Sequence, residues 1–284
     1  MTEDKIVSGA HQDIYDSRDY KWSDVGKDSS PFDWSKGYDI ESIMGLIVAP
    51  KDQNGSYSCG GQAFGYYGAV MEALMTGTYE ERSAKFLYSQ CYAPGGGTRG
   101  RDLCDIAINQ GFGRETFTPS YENGNPPRED FMIRSQDISD IARQEAKSTL
   151  ALSYANVDSA NIDAVAQAIR DNQGCIIGVS GENGKGWLTE FPEPATKSDW
   201  RHWLYAGKAK VINGKKYIGV INSWGNVGDR GWQWISEDYF NARIDGLCPI
   251  WSAWTIYLRK IDASIERKNI IEVIMAIIRK WLNK

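Results

Sequence analysis

Three residues in this sequence have the types that acyl-transfer chemistry needs, Cys59, His202 and Asn222, and Gln53 stands ahead of them. A thiol attacks a carbonyl as its thiolate, which is stabilised at a helix N-terminus and beside an imidazolium. Cys59 closes the polar turn "DQNGSYSC" and opens a helical pattern, which supplies the first condition. For the second, the chain offers two histidines. His202 lies in the strand-like "DWRHWLYAG", whereas His11 is a remote candidate in the leader. A working imidazole needs an acceptor that fixes its tautomer, and Asn222 in "GVINSWG" carries one. Trp224, two residues on, is placed to keep water from that bond. Gln53 has an amide N–H₂ that, with the backbone N–H of Cys59, is expected to hold a developing oxyanion.

Positioning these groups takes a helix behind the sulfur and strands under the imidazole and its acceptor. Ala63, Tyr66, Tyr67, Val70 and Leu74 recur at helical spacing over residues 59–75. Further helices are expected over 79–90, 100–111 and 161–173. Between the first two of these lies "APGGGTRG", whose Gly95, Gly96 and Gly97 leave a backbone that another chain can approach closely. Beyond residue 173 the period changes. "GCIIGVS", "WLYAGKAKVI", "KKYIGVINSWG", "GWQWIS" and "SAWTIYLRK" are short, β-branched and aromatic, with Asn213-Gly214 as a hairpin turn. A helical front and a strand-rich back make an α+β chain of two lobes, with the natural site in the cleft between them.

Composition narrows the partners. The chain has 284 residues, of which 42% are hydrophobic, enough for one large core or two fused lobes. A formal net charge of -5 leaves no basic field for nucleic acid. No run of about 18 apolar residues occurs, so no membrane span is expected. The start, "MTEDKIVSGAHQD", has no apolar stretch of the signal-peptide kind. Cys59, Cys91, Cys104, Cys175 and Cys248 are odd in number and hold no CxxC pair, which argues against a disulfide framework and a zinc knuckle. Neither a metal nor an organic cofactor is expected. The setting expected is reducing: the cytoplasm, or the interior of a viral or phage particle.

Taken in order, these pieces resemble the papain-like (C1-type) cysteine peptidases. "PFDW" is similar to the start of a mature domain of that family, and "DQNGSYSC" keeps its Gln-to-Cys interval. "PGGGTRG" resembles the glycine-rich wall along which substrate backbone lies, "RHWLYAG" the histidine strand, and "YIGVINSWGNVGDRGWQWIS" the Asn-Ser-Trp-Gly block. Order and spacing agree from about residue 31 to 261. The resemblance implies a papain-like two-lobe fold, with a mainly helical left lobe over about 48–150 and an antiparallel β-barrel-like right lobe over about 151–262. Residues 1–30 are then an N-terminal extension and 263–284 an appended segment. It also implies catalytic roles for Cys59, His202, Asn222 and Gln53, a substrate wall at Gly95, Gly96 and Gly97 with Trp224, and polypeptide substrates cut by an endopeptidase.

Several positions depart from the family pattern. Gly60 and Gly61 follow the cysteine where an aromatic residue is usual, as in some prokaryotic relatives. The chain is therefore expected to lie closer to prokaryotic and phage-type members than to secreted eukaryotic ones. Tyr57 is expected to narrow the oxyanion side and Arg201 to shift the imidazole pKa. Ser56 stands where many secreted members have a disulfide cysteine. The leader is shorter than the family's inhibitory propeptides, so control is expected to lie in location or partners.

Two rival functions share these residues. A cell-wall (peptidoglycan) hydrolase would use the same Cys-His pair, and the long interval from Cys59 to His202 counts against it. A catalytically weak papain-like scaffold for assembly or binding is opposed by the intact Cys-His-Asn set. The tail "SIERKNIIEVIMAIIRKWLNK" puts Ile270, Ile271, Ile274, Ile277, Ile278, Trp281 and Leu282 on one helical face. That amphipathic helix is expected to pack on its own domain, to self-associate or to bind a partner protein.

Overall fold

A computed structural model describes residues 8–17, 19–25, 30–123, 125 and 127–258. The expected C-terminal amphipathic helix lies outside the described residues. Nine helices are present among them: α1 (Trp22–Val25), α2 (Ile40–Met44), α3 (Cys59–Thr76), α4 (Ala84–Tyr88), α5 (Gly100–Asn109), α6 (Glu129–Met132), α7 (Asp140–Ala146), α8 (Ile162–Asn172) and α9 (Glu237–Asn241). The strands are β1 (Ala10–His11), β2 (Tyr38–Asp39), β3 (Thr98–Arg99), β4 (Ala151–Asn156), β5 (Cys175–Gly181), β6 (Trp200–Ile212), β7 (Lys215–Ile221), β8 (Trp232–Ser236) and β9 (Ile250–Leu258).

The apolar positions read from the sequence make α3 the buried axis of the helical part. Ala63, Tyr66, Tyr67 and Val70 are all buried, and Gly77 ends the helix in the left-handed region. Gly60 and Gly61 are there for close approach. A Cβ at 60 would lie 2.1 Å from Thr98 Oγ1, and one at 61 would lie 2.5 Å from the Ala84 carbonyl oxygen. The helix expected over 79–90 shortens to α4. Arg82 pairs with Arg114 in a β-bridge, and helix begins only after Ser83, whose hydroxyl caps it by accepting from the Phe86 N–H at 2.9 Å.

Strands of the back half form one antiparallel sheet in the order β4-β9-β5-β6-β7-β8, with β2 also paired to β6. The expected antiparallel sheet is present, and among the described residues it is not closed: β4 and β8 stand at its ends. The long β6 pairs with β5 over its first half and with β7 over its second. It shifts register between Ala206 and Lys208, where β2 takes over the side that β5 leaves. The sheet bends there without bringing its end strands together. Asn213 and Gly214 form the expected hairpin turn, at φ 50 and 80.

Two apolar clusters result. One joins α3 to Phe86, Leu103 and Phe112 and takes Ile176, Trp203 and Tyr205 from the sheet. The other packs Val165 and Ile169 of α8 against Ile177, Leu204 and Val220. Tyr67 ties the halves: its hydroxyl reaches the Asn172 and Gly174 carbonyls at 2.9 Å and Thr255 Oγ1 at 3.0 Å.

Packing at residue 61 is testable. Helix propensity favours Ala over Gly by about 1 kcal/mol, but the carbonyl 2.5 Å from the new Cβ opposes it. Overpacking costs about 1–3 kcal/mol, so crowding outweighs propensity. Gly61→Ala is expected to destabilise the chain by a net of up to about 2 kcal/mol, read as a lower urea midpoint at unchanged slope. A higher midpoint would mean that α4 gives way freely.

Candidate active site

Cys59 is the first residue of α3 and is fully buried. Ser58 precedes it without capping the helix, because its hydroxyl is engaged with that of Ser56 at 2.8 Å. The thiol is left with the backbone N–H groups of Cys59 and Gly60, and a third N–H, that of Trp203, meets it from β6. Helix start and histidine strand therefore converge on the sulfur, because Trp203 directly follows His202.

His202 is the third residue of β6. Alternation along the strand sends its ring inward and leaves Arg201 exposed, with its guanidinium over the Trp251 ring at 5.9 Å. The imidazole Nε2 lies 2.8 Å from Asn222 Oδ1. Asn222 stands just past the end of β7, and Tyr66 of α3 donates to its carbonyl at 3.1 Å. Trp224 lies over the imidazole with ring centroids 4.7 Å apart and planes 34° apart, and Trp200 meets that ring edge-on at 6.3 Å. Trp224 is buried on the histidine rather than laid along the cleft.

Gln53 is buried in the turn before α3. Its Nε2 donates to the Ser56 carbonyl at 2.7 Å, which leaves one amide hydrogen for a ligand. Its Oε1 accepts from Ser223 Oγ at 2.6 Å, and its backbone N–H donates to the Ser223 carbonyl at 2.8 Å. The oxyanion candidate is thus bonded to the residue after Asn222. Neither Ser223 nor Gln233, which bonds to the Asn222 amide at 2.7 Å, was singled out from the sequence. Gln233 lies between two tryptophans in a strand, where a polar residue reads as solvent-facing; here both faces of β8 are buried.

The leader, expected to play no inhibitory part, runs through this site. Residues Ala10 and His11 form β1, which pairs in parallel with β3 beside the glycine wall. The Gly9 carbonyl accepts from the Thr98 N–H at 3.1 Å, and His11 Nε2 lies 2.7 Å from the Gly96 carbonyl. Ser8 Oγ accepts from the Arg201 N–H at 3.2 Å. Asp13 closes the strap, accepting from the Arg101 N–H at 2.9 Å and from Trp254 Nε1 at 3.0 Å. Gly9 passes so near Cys59 that a Cβ on it would lie 2.8 Å from the sulfur and 2.5 Å from the Tyr57 carbonyl oxygen. A Cβ at Gly97 would meet the Gly9 carbonyl at 2.7 Å and one at Gly96 the Tyr57 ring at 2.5 Å, while Gly95 faces open space. Tyr57 packs on the glycine wall, and its N–H donates to Glu129 Oε2 at 2.8 Å.

Electrostatics match a covered site. Burial pushes the Cys59 thiol up to about 12 against the pull of the three N–H groups, and burial pushes the His202 imidazole down to about 4 against its Asn222 bond. Both groups are neutral near pH 7. Arg201 is not among the causes of the imidazole shift, contrary to expectation. Burial also raises Cys91, Cys104, Cys175 and Cys248. Among the described residues no group of His, Cys, Asp and Glu could hold a metal ion, and no helix is long and apolar enough to cross a membrane.

No protein-family model matches this sequence, and no curated protein matches it. Solved structures do match. Xylellain, a cysteine protease from Xylella fastidiosa, is similar over 89% of this chain and 96% of its own, at 19% identity and a TM-score of 0.68. A proCathepsin B from Trypanosoma congolense is similar over 91% of this chain and 88% of its own, at 14% identity and a TM-score of 0.69. Digestive procathepsin L 3 of Tenebrio molitor covers 84% of this chain with 74% of its own, at 18% identity and a TM-score of 0.62. The chain has the papain-like fold. Its helical and sheet lobes are those expected from the motif order.

The strap's hold on the sulfur can be measured. Alkylation of Cys59 in the intact chain is expected to be slow at pH 7 and to rise only toward strongly alkaline pH. A methyl at residue 9 has no room, and about 1–3 kcal/mol of crowding shifts the closed-open balance by roughly five- to a hundredfold. Gly9→Ala is therefore expected to speed labelling at pH 7 and to move its pH midpoint down, as water reaches the thiolate. Mass mapping of the labelled cysteines checks this; an unchanged rate would mean that residues 8–13 do not govern access.

Proposed function

We propose that this chain is a papain-like cysteine endopeptidase whose site is held closed by its own residues 8–13. The observation that carries the reading is the His202 Nε2 to Asn222 Oδ1 bond of 2.8 Å, together with a cysteine at a helix start whose sulfur meets the N–H of Trp203, the residue after His202. The second half of the proposal rests on Gly9, which lies against the sulfur.

Once the strap leaves, water and the three N–H groups stabilise the thiolate, and His202 holds the proton that Cys59 gives up. The sulfur attacks the scissile carbonyl, whose oxygen gains charge facing the Cys59 N–H and the remaining amide hydrogen of Gln53. His202 passes its proton to the departing amine, which leaves a thioester on Cys59. A water, deprotonated by His202, attacks that thioester and frees the second product. Asn222 keeps the imidazole oriented, and Trp224 keeps water off their bond. Gly95, Gly96 and Gly97 are the wall for the peptide backbone, the place β1 now takes beside β3.

Five free cysteines among the described residues fit a reducing setting, the cytoplasm or the interior of a phage or viral particle. The bacterial source of xylellain agrees with a place nearer to prokaryotic members. A cell-wall substrate or a purely structural role finds no observation that favours it over peptide hydrolysis.

The test is hydrolysis of a mixed peptide library, read by mass spectrometry, by the intact chain and by Gly9→Ala. Cleavage is expected from the second and little from the first. In the opened background Cys59→Ala should abolish it, and His202→Ala should lower kcat by about 10²–10⁴-fold. Asn222→Ala should cost less than either. Cleavage that survives Cys59→Ala would sink the assignment, as would an opened chain that labels rapidly yet cuts no peptide.

A further inference from the structure

Gln233 lies in β8 and is fully buried. Its Nε2 donates to two backbone carbonyls, those of Trp187 at 2.8 Å and Thr189 at 2.7 Å. Carbonyls only accept, so this end of the side chain is the nitrogen and Oε1 points the other way. Oε1 accepts from Asn222 Nδ2 at 2.7 Å, which turns Asn222 Oδ1 toward the Ser223 N–H at 2.7 Å and toward His202 Nε2 at 2.8 Å. An oxygen can accept from that nitrogen only when the nitrogen carries the ring proton. The remaining nitrogen, Nδ1, is buried without a hydrogen-bond partner and keeps its lone pair.

We propose that Gln233 is a positioning residue that sets the tautomer of His202 by locking the side-chain amide of Asn222. Flipping that amide would put Nδ2 against the Ser223 N–H, donor to donor, and Oδ1 against Gln233 Oε1, acceptor to acceptor. Each mispaired buried group costs about 1–3 kcal/mol. With Gln233 in place two such penalties oppose the flip; without it one remains. Removing Gln233 therefore favours the flipped form by roughly five- to a hundredfold. In the flipped form the imidazole faces an N–H₂, and the proton moves to Nδ1, where it blocks the lone pair. The catalytic consequence rests on the peptidase reading; the tautomer itself does not.

Nitrogen-15 NMR of the histidines in the full-length chain at neutral pH tests this, with His11→Gln used for assignment. His202 is expected as the Nε2-protonated tautomer in the unaltered chain. Gln233→Met, of similar length but with no polar atoms, is expected to raise a minor Nδ1-protonated share, up to about one part in six when the remaining penalty is about 1 kcal/mol. Gln233→Val, a strand-forming replacement, gives the same comparison should the Met variant not fold. Gln233→Glu is the rescue. Burial favours the protonated carboxyl, which accepts from Asn222, donates to one carbonyl and restores the Nε2-protonated form. Loss of packing alone would not move the tautomer or distinguish Glu from Met. A pure Nε2-protonated ring in both apolar variants overturns the proposal, whether or not the chain cuts peptides. The expected spectra, together with an opened Gly9→Ala chain that labels rapidly yet cuts no peptide, would uphold it and refute the peptidase reading.

Discussion

Everything in this molecule depends on how closely the first turn of α3 approaches β6. A sulfur on one element meets the N–H of Trp203 on the other, and only a helix start stripped of side chains allows it. Gly60 faces Thr98 and Trp203, and Gly61 faces the Ala84 carbonyl. Two glycines in a helix cost about 2 kcal/mol together against Ala. Burial of one tryptophan ring, 150–250 Å² at about 25 cal/mol per Å², contributes roughly 4–6 kcal/mol. Trp203, Tyr66, Tyr67 and Tyr205 are all buried in the cluster this contact creates. Apolar burial thus outweighs the conformational cost several-fold, and the position of the Cys59 sulfur follows from packing before any polar contact is counted.

The polar contacts then decide in which state that thiol is kept. A thiolate and an imidazolium buried side by side would have to recover two large desolvation penalties. With Gly9 covering the sulfur the site holds a neutral thiol and a neutral imidazole instead. The strap thereby acts twice, once by volume and once by excluding the water that would stabilise charge. Its own hold is local and polar: Ser8 bonds to Arg201, Gly9 to Thr98, His11 to Gly96, and Asp13 to Arg101 and Trp254. These anchors come from both lobes, so a strap of six residues spans the cleft.

Much of this was legible in the sequence, and the limits have physical causes. Period 3.6 over residues 59–75 and period 2 in the strands beyond 173 reflect burial of continuous faces, which is a local property. The helix α3, the strands β5 to β9 and the Asn213-Gly214 turn were therefore readable. By contrast β1 is two residues long and exists only through its pairing with β3. "SGAHQD" has no periodicity to reveal a partner so distant in the chain. How far the antiparallel sheet closes depends on where β4 and β8 end up, which strand patterns do not encode. Gln233 was passed over because alternation presumes one wet face, and β8 has none.

The two lobes divide the bonds of this site between them. His202 on β6, Asn222 after β7 and Gln233 on β8 belong to one sheet, with Trp224 packed over them. The side-chain bonds that join them run across adjacent strands, and Tyr66 of α3 reaches only the backbone carbonyl of Asn222 from the other lobe. Those of the sulfur cross the cleft: its N–H donors come from α3 and from β6, and the residue covering it belongs to the leader. Withdrawing the strap therefore changes the solvation of Cys59 at once, while the amide chain behind the imidazole keeps its geometry. The expensive part, two buried amides in one orientation, is built with the sheet, and only the part that costs little to rearrange is left to the leader.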